Sequence, residues 1–305
     1  MIVSLPAVAH DAWQEVKSID VRAINKDVKP GKPTVDIGIY YAANFDEKFV
    51  EAVPLSGIMK EFMQAKKIYS KAGVQLNLLW VKSGELDPKY FSLQVSNLQA
   101  SKPDDGYLNM YKEAVRQPNI LSDHAQSAFE TIIEPDENNN RTLYLIALQG
   151  VYMHYYDGDE KGRNWNSTLV RTGGLSFPSY MHGSTIPNRI RGVITLSRYD
   201  DKNHKIIAHE LGHKLMNVSH EYKSVSPQHE IRMNGGLMVY GTGLEIPSGA
   251  EGRWHKERLH LSPYLYRADK NGNRVWNEDY KEEGFYYDSL YGDKVVQFEG
   301  QRKKR

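Results

Sequence analysis

The chain has 305 residues, enough to bury a substantial core in one large domain or in one domain with an added lobe. Its formal net charge is only +1, and its hydrophobic (40%) and charged (25%) fractions are ordinary for a globular protein, so we expect no nucleic-acid partner. It contains no run of about 18 apolar residues, so we also expect no membrane span. Because the chain has no cysteine, any metal ion would have to be held by nitrogen and oxygen atoms.

The first residues leave two interpretations open. Residues 2–9 are apolar, and Ala7-Val8-Ala9 resembles the small-residue cleavage site of an export signal, but the basic start and longer apolar run of such a signal are missing. The alternative is an ordinary strand. We treat residues 1–34 as an N-terminal segment and expect a secreted or periplasmic bacterial protein, with a cytoplasmic location as the alternative.

The next part of the chain begins with a strand, a helix and a second strand. Residues 35–41 alternate in polarity and residues 74–81 are again β-prone, which predicts a strand in each place. Between them, residues 55–72 carry apolar side chains at the three-to-four spacing of an amphipathic helix, and Gly73 ends it.

Residues 82–140 are polar and rich in proline, and we interpret them as an insertion with two short helices. Residues 141–148 are nearly all apolar, which predicts a central strand buried on both faces. A turn-rich stretch around Asp157-Gly158-Asp159 follows. The helices of the insertion are expected at 107–117 and 122–133, and two further strands at 174–180 and 192–198.

A candidate zinc motif, His209-Glu210-Leu211-Gly212-His213, comes directly after the last of these strands. Residues four apart lie on one face of a helix, so the two histidines can bind one tetrahedral zinc ion. Glu210 would lie beside the metal, where it can take a proton from a zinc-activated water and pass it to the leaving amine. The motif thus predicts hydrolysis of peptide bonds at one catalytic zinc ion; the alternative is a surface helix with two solvated histidines.

A catalytic zinc site needs a third protein ligand. His220 lies seven residues after His213, too far round to share its helical face, so the helix must end between them and the chain must turn back. Asn217 favours such a turn because asparagine adopts the left-handed conformation more readily than other residues except glycine. We predict His220 as the third ligand, with a surface histidine as the alternative; other candidate ligands are Glu221, His229, Glu230 and Glu245.

These residues resemble the metzincin clan of zinc peptidases, whose pattern is HExxHxxGxxH followed by a methionine turn. Met216 stands where the family has glycine and Ser219 where it has the third ligand, so Asn217 and His220 are each displaced by one residue.

The resemblance implies that Met238, within residues 235–241, forms the methionine turn beneath the metal; Met233 is the weaker alternative. It also implies that Tyr240 stabilises the oxyanion, as a tyrosine at this position does in astacins and serralysins. The alternative for Tyr240 is a tyrosine that packs the turn.

The resemblance further implies an α/β (α+β) fold with a mixed twisted sheet, an antiparallel edge strand, two long helices, a zinc cleft and a mostly irregular or helical C-terminal subdomain. The catalytic subdomain would span residues 35–220, with the insertion at 82–140, and the C-terminal subdomain residues 221–305. Gly174, Leu175 and Ser176 would form the edge strand, to which an extended peptide adds as a further strand. An ordinary strand is the alternative.

The C-terminal part contains three local signals. Asn271-Gly272 predicts the turn of a hairpin. Asp269, Asn271 and Asn273 resemble the start of a calcium loop, but Tyr280 stands where its bidentate glutamate would fall, so calcium is possible but unsupported. Ser248 and Glu251 predict a capping box before a short helix.

Together these patterns predict a zinc-dependent metalloendopeptidase that acts on a protein or peptide substrate. A glycosylation sequon at Asn217-Val218-Ser219 lies between the proposed ligands, where a glycan would obstruct the cleft, and this favours a bacterial source. Two alternatives remain: a gluzincin-type or exopeptidase zinc hydrolase, and a non-catalytic zinc-containing binding protein on the same scaffold.

Overall fold

The computed structural model describes residues 13–45, 53–95, 121–135, 141–158, 165–178, 182, 186–199, 202–218, 236–238, 243–249, 252 and 254–278. The strands are β1 (Gln14–Glu15), β2 (Thr34–Ala42), β3 (Gln75–Gly84), β4 (Ser92–Gln94), β5 (Leu143–Ala147), β6 (Gly150–Gly158), β7 (Trp165–Arg171), β8 (Gly174–Ser176), β9 (Val193–Leu196), β10 (Tyr266–Ala268) and β11 (Arg274–Trp276). The helices are α1 (Val21–Ile24), α2 (Leu55–Lys71), α3 (Asp123–Ile132), α4 (Ile206–Met216) and α5 (His255–His260).

A mixed twisted sheet organises this part of the chain. Its strands lie in the order β1-β3-β2-β5-β9-β8, and β10 and β11 join it beside β2. The central strands β3, β2, β5 and β9 run parallel, while β1 and β8 are antiparallel at the two edges. The prediction of a mixed α/β fold is confirmed.

The alternation of side chains along the central strands explains the layers. Ile37 and Ile39 of β2 belong to an apolar core with α2 and α4, whereas Tyr40 belongs to a second core with α3. Successive side chains of a strand point to opposite faces, so helices cover both faces of the sheet. This is why β2 and β5 are almost continuously buried and apolar.

A second sheet, in the order β4-β6-β7, lies outside the main one. The antiparallel pair β6 and β7 extends over residues 150–158 and 165–171, so the stretch that we expected to be rich in turns contains two long strands. The tyrosines of these strands are β-prone, but Asp157-Gly158-Asp159 is the stronger local pattern in the sequence, and it predicts a turn.

Most of the predicted elements of the main sheet are present. The predicted helix at 122–133 is α3, whose N-cap Ser122 accepts the backbone N–H of Ala125; the predicted helix at 107–117 lies outside the described residues.

Segments on either side of the predicted catalytic subdomain also join the sheet: β1 pairs with β3, and Tyr266 of β10 pairs with Thr34. No helix in the described ranges is long and apolar enough to cross a membrane.

Two local predictions in the C-terminal part have different outcomes. The Asn271-Gly272 turn is confirmed, since Gly272 has a φ of 83° and connects β10 to β11. The Asp269 carboxylate accepts the backbone N–H groups of Asn271 and Asn273, as in an ordinary turn. The predicted capping box involves Glu251, which lies outside the described residues; the Ser248 hydroxyl donates to Glu257, and α5 begins after Trp254.

Candidate metal centre

The helix that carries the motif, α4, is buried along almost its whole length and is fixed by α2. Lys205 is the N-cap residue of α4, but its side chain makes no capping hydrogen bond. Instead, the buried side-chain oxygen of Glu61 accepts the backbone N–H of Ile207 at 3.3 Å. A negative charge at a helix N-terminus also stabilises the helix dipole. One residue further on, the Tyr69 hydroxyl donates to the carbonyl of Ala208 at 2.9 Å. Two contacts from α2 therefore hold the turn that immediately precedes His209.

His209 and His213 lie on one face of α4, as predicted. Their ring centroids are 4.7 Å apart and the rings are nearly perpendicular. Each Nδ1 lies within hydrogen-bond distance of a main-chain carbonyl: that of His209 is 2.8 Å from the oxygen of Leu237, and that of His213 is 2.7 Å from the oxygen of Val218. Because a carbonyl oxygen only accepts, both Nδ1 atoms carry the proton and both Nε2 atoms keep the lone pair that can bind a metal.

The two imidazoles are held in the neutral form. Burial lowers the pKa of His209 to about 4. Burial and the neighbouring His209 lower the pKa of His213 to about 3. At neutral pH both rings are therefore uncharged, which is the state in which histidine binds metals.

The side chain of Glu210 projects from α4 against the edge strand β8. Only 7% of it is exposed, and a Cβ atom placed on Gly174 would lie 2.7 Å from its Cγ, so a residue with a side chain would push it away. Burial raises the pKa of Glu210 to about 8, while the polar groups of the neighbouring Ser176 offset part of the rise. A carboxyl group with a pKa near neutrality is suited to general acid and base catalysis.

The predicted edge strand is present. Gly174, Leu175 and Ser176 form β8, which pairs antiparallel with β9 and ends the strand order of the main sheet. Since Glu210 packs against its first residue, the strand and the motif helix belong to one site. Binding of a substrate along β8 stays a prediction.

Met238 lies against the motif helix. It is fully buried, and a Cβ atom placed on Gly212 would be 2.3 Å from its sulphur atom, so the glycine of the motif makes room for this methionine. The backbone carbonyl of the preceding residue, Leu237, accepts a hydrogen bond from His209 Nδ1. The backbone N–H of Leu237 donates to the backbone carbonyl of Glu245 at 2.7 Å. The segment 236–238 thus meets α4 at two points, beside both histidines.

The helix ends as the sequence predicts. Asn217 adopts the left-handed conformation, with φ 53° and ψ 50°, and the turn brings the Val218 carbonyl to His213. His220 and Tyr240 lie outside the described residues, as do Met233, Glu221, His229 and Glu230.

Glu245 is the one alternative ligand within the described residues. Its side chain is exposed, and within the described ranges no group of three histidine, aspartate or glutamate side chains is placed to hold a metal ion. The described part of the site therefore offers two nitrogen ligands, His209 and His213. Their carbonyl-anchored Nδ1 atoms and neutral rings fit zinc.

Three buried polar residues around α4 were not singled out from the sequence. Glu61 and Tyr69 hold its first turn, and the Lys214 ammonium donates to the carbonyls of Phe177 and Arg191, at 2.7 Å each. Glu61 could have been noticed because it lies beside Ile58 and Phe62 on the apolar face of the predicted helix. Burial lowers the pKa of Lys214 well below its usual value.

Comparison of the chain with models of known protein families gives no match, and comparison with curated protein sequences gives no significant match. The functional argument therefore rests on the chemistry and geometry of the site itself.

Proposed function

We propose that the protein is a zinc-dependent endopeptidase. The observation that carries this proposal is the arrangement of His209, Glu210 and His213: two neutral imidazoles, each anchored through Nδ1, with a buried carboxyl group between them and an antiparallel edge strand. A surface helix with solvated histidines would have neither the anchoring carbonyls nor the burial.

In this proposal His209 and His213 bind the zinc ion through Nε2, and His220 completes the set of protein ligands. Zinc bound there would act as a Lewis acid that lowers the pKa of a water molecule to about 7. The turn at Asn217 supports the role of His220, because it ends the helix and brings the Val218 carbonyl against His213.

Glu210 is the proposed general base. A zinc ion bound by the neighbouring histidines would lower the pKa of this carboxyl group, so that it would be ionised and able to accept a proton near neutral pH. It then donates this proton to the leaving amine. Its contact with Gly174 supports this role, because a peptide that adds to β8 would pass beside it.

The finer proposal is a metzincin-like enzyme. It is supported by the antiparallel edge strand, the packing of Met238 against Gly212 and the left-handed turn after the motif helix. Met238 would form the apolar floor of the site, and Tyr240 would stabilise the oxyanion of the transition state.

Metal analysis combined with one substitution tests the proposal. The purified protein should contain about one zinc ion per chain, and Glu210→Gln should keep the zinc while it loses hydrolysis of an unfolded protein substrate. The matched control is Glu15→Gln, at an exposed position on the opposite edge strand, which should keep both. Full activity of Glu210→Gln would refute the mechanism.

The third ligand needs its own test. If His220 binds zinc, His220→Ala should weaken zinc binding strongly, while Glu245→Ala, at an exposed side chain, should leave it unchanged. The reverse result would instead favour a gluzincin-type enzyme.

A further inference from the structure

Arg198 lies at the start of the edge strand, next to the position of Glu210. A Cβ atom placed on Gly173 would be 3.5 Å from Cβ of Arg198 and 3.8 Å from its Cδ, whereas one placed on Gly174 would meet Glu210. Ile206, in the first turn of α4, would contact both Cβ atoms. Arg198 and Glu210 therefore lie beside the successive residues Gly173 and Gly174, and Ile206 lies beside both.

The charge of Arg198 is available to a ligand. The side chain is exposed, and its guanidinium takes part in none of the ion pairs or side-chain hydrogen bonds found among the described residues. The backbone at this point is fixed, because the N–H groups of Ser197 and Arg198 both donate to the carbonyl of Gly173, at 2.9 and 3.0 Å.

A second cation lies beside the same segment. The Arg171 guanidinium donates to the carbonyls of Gln149 and Ser197, at 2.6 and 2.9 Å, and it lies close enough to Arg198 for the two positive charges to repel each other. An anionic group placed between the two guanidinium groups would relieve the repulsion and gain from both charges.

We propose that Arg198 is a specificity residue that selects substrates with an aspartate or glutamate side chain close to the scissile bond. This inference rests on the proposed function. A peptide that adds to β8 lies about 4.8 Å from it, so a peptide side chain that passes Gly173 comes within reach of the Arg198 guanidinium. The same peptide passes Glu210 one residue further along the strand.

The test uses the full-length, zinc-loaded protein and a set of peptides that carry glutamate, glutamine or lysine in turn at each of the three positions on either side of the cleaved bond. The readout is the ratio of kcat/KM values for glutamate and glutamine at each position. At one position wild type should prefer glutamate by about three- to tenfold, the range expected for an exposed ion pair, and the preference should shrink in high salt.

Three variants separate the outcomes. Arg198→Gln should abolish the preference, Arg198→Glu should replace it by a preference for lysine at the same position, and Arg22→Glu, an exposed control in α1 beside the other end of the sheet, should leave it unchanged. If Arg198→Glu does not fold, Arg198→Gln decides the test alone. Cleavage with no preference for glutamate in wild type, or with an unchanged preference in Arg198→Gln, overturns the inference but leaves the peptidase proposal standing. Absence of any cleavage by the zinc-loaded protein refutes the peptidase proposal itself.

Discussion

The contact between Gly212 and Met238 predicts that Gly212→Ala changes the free energy of unfolding in opposite directions in the presence and absence of the Met238 side chain. Gly212→Ala would place a Cβ atom 2.3 Å from the Met238 sulphur, far inside the about 3.5 to 4.0 Å of a favourable contact. Displacing the methionine should cost about 1 to 3 kcal/mol, whereas alanine in place of glycine gains about 1 kcal/mol of helix propensity. The net effect in wild type is a loss of up to about 2 kcal/mol in the free energy of unfolding.

In a Met238→Ala background the nearest obstacle is gone, and only the terminal methyl group of Met216, 3.0 Å from the new Cβ atom, has to adjust. Gly212→Ala should now stabilise the protein by up to about 1 kcal/mol. The difference between the two backgrounds is the coupling energy of the contact, expected within the range of about 0.5 to 3 kcal/mol that neighbouring residues show. Urea unfolding followed by circular dichroism, with zinc chelated, measures all four variants. Met63→Ala, at an exposed methionine on α2, is the control background. Equal effects of Gly212→Ala with and without Met238 would refute the packing described for this turn.

Three further predictions concern the site. Burial raises the pKa of Glu210 to about 8 in the metal-free protein, above the unfolded value of 4.5, so this group should lower stability as pH rises from 4.5 through 8. Glu210→Gln should therefore raise the free energy of unfolding of the metal-free protein more at pH 8 than at pH 5, by on the order of a few kcal/mol, and Glu15→Gln should not. Asn217→Val should cost about 1 to 2 kcal/mol, because a β-branched residue is strained at a φ of 53°, whereas Asn217→Gly should fold and bind zinc normally; unfolding and zinc titrations compare the two. Gly174→Ala should slow peptide hydrolysis without loss of zinc, since its Cβ would displace Glu210; metal content and kcat separate these effects.

Local patterns were sufficient to predict the parts of the fold that depend on neighbouring residues. The strand, helix and strand over residues 34–84, the apolar strand β5 and the left-handed Asn217 all follow from spacing or from the preference of one residue type. The edge strand at residues 174–176, by contrast, was predicted from the resemblance to metzincins, and β8 lies at this position.

Contacts between distant residues were beyond such patterns. Glu61 and Ile207 are 146 positions apart, and Tyr69 and Ala208 are 139 positions apart. No local sequence pattern therefore predicts that α2 holds the motif helix. The carbonyl of Leu237 that orients His209 belongs to the main chain, and every residue has such a group. The strands β6 and β7 were missed because turn-forming residues within them gave the stronger local signal.

The most direct test of the central claim is mass spectrometry of an unfolded substrate protein after incubation with the zinc-loaded protein in ¹⁸O-labelled water. Hydrolysis at internal peptide bonds should give fragments whose new carboxyl groups contain ¹⁸O, and Glu210→Gln should give none. Intact substrate after incubation with the zinc-loaded wild type, or the same labelled fragments from Glu210→Gln, would contradict a zinc-dependent endopeptidase that uses Glu210 as its base.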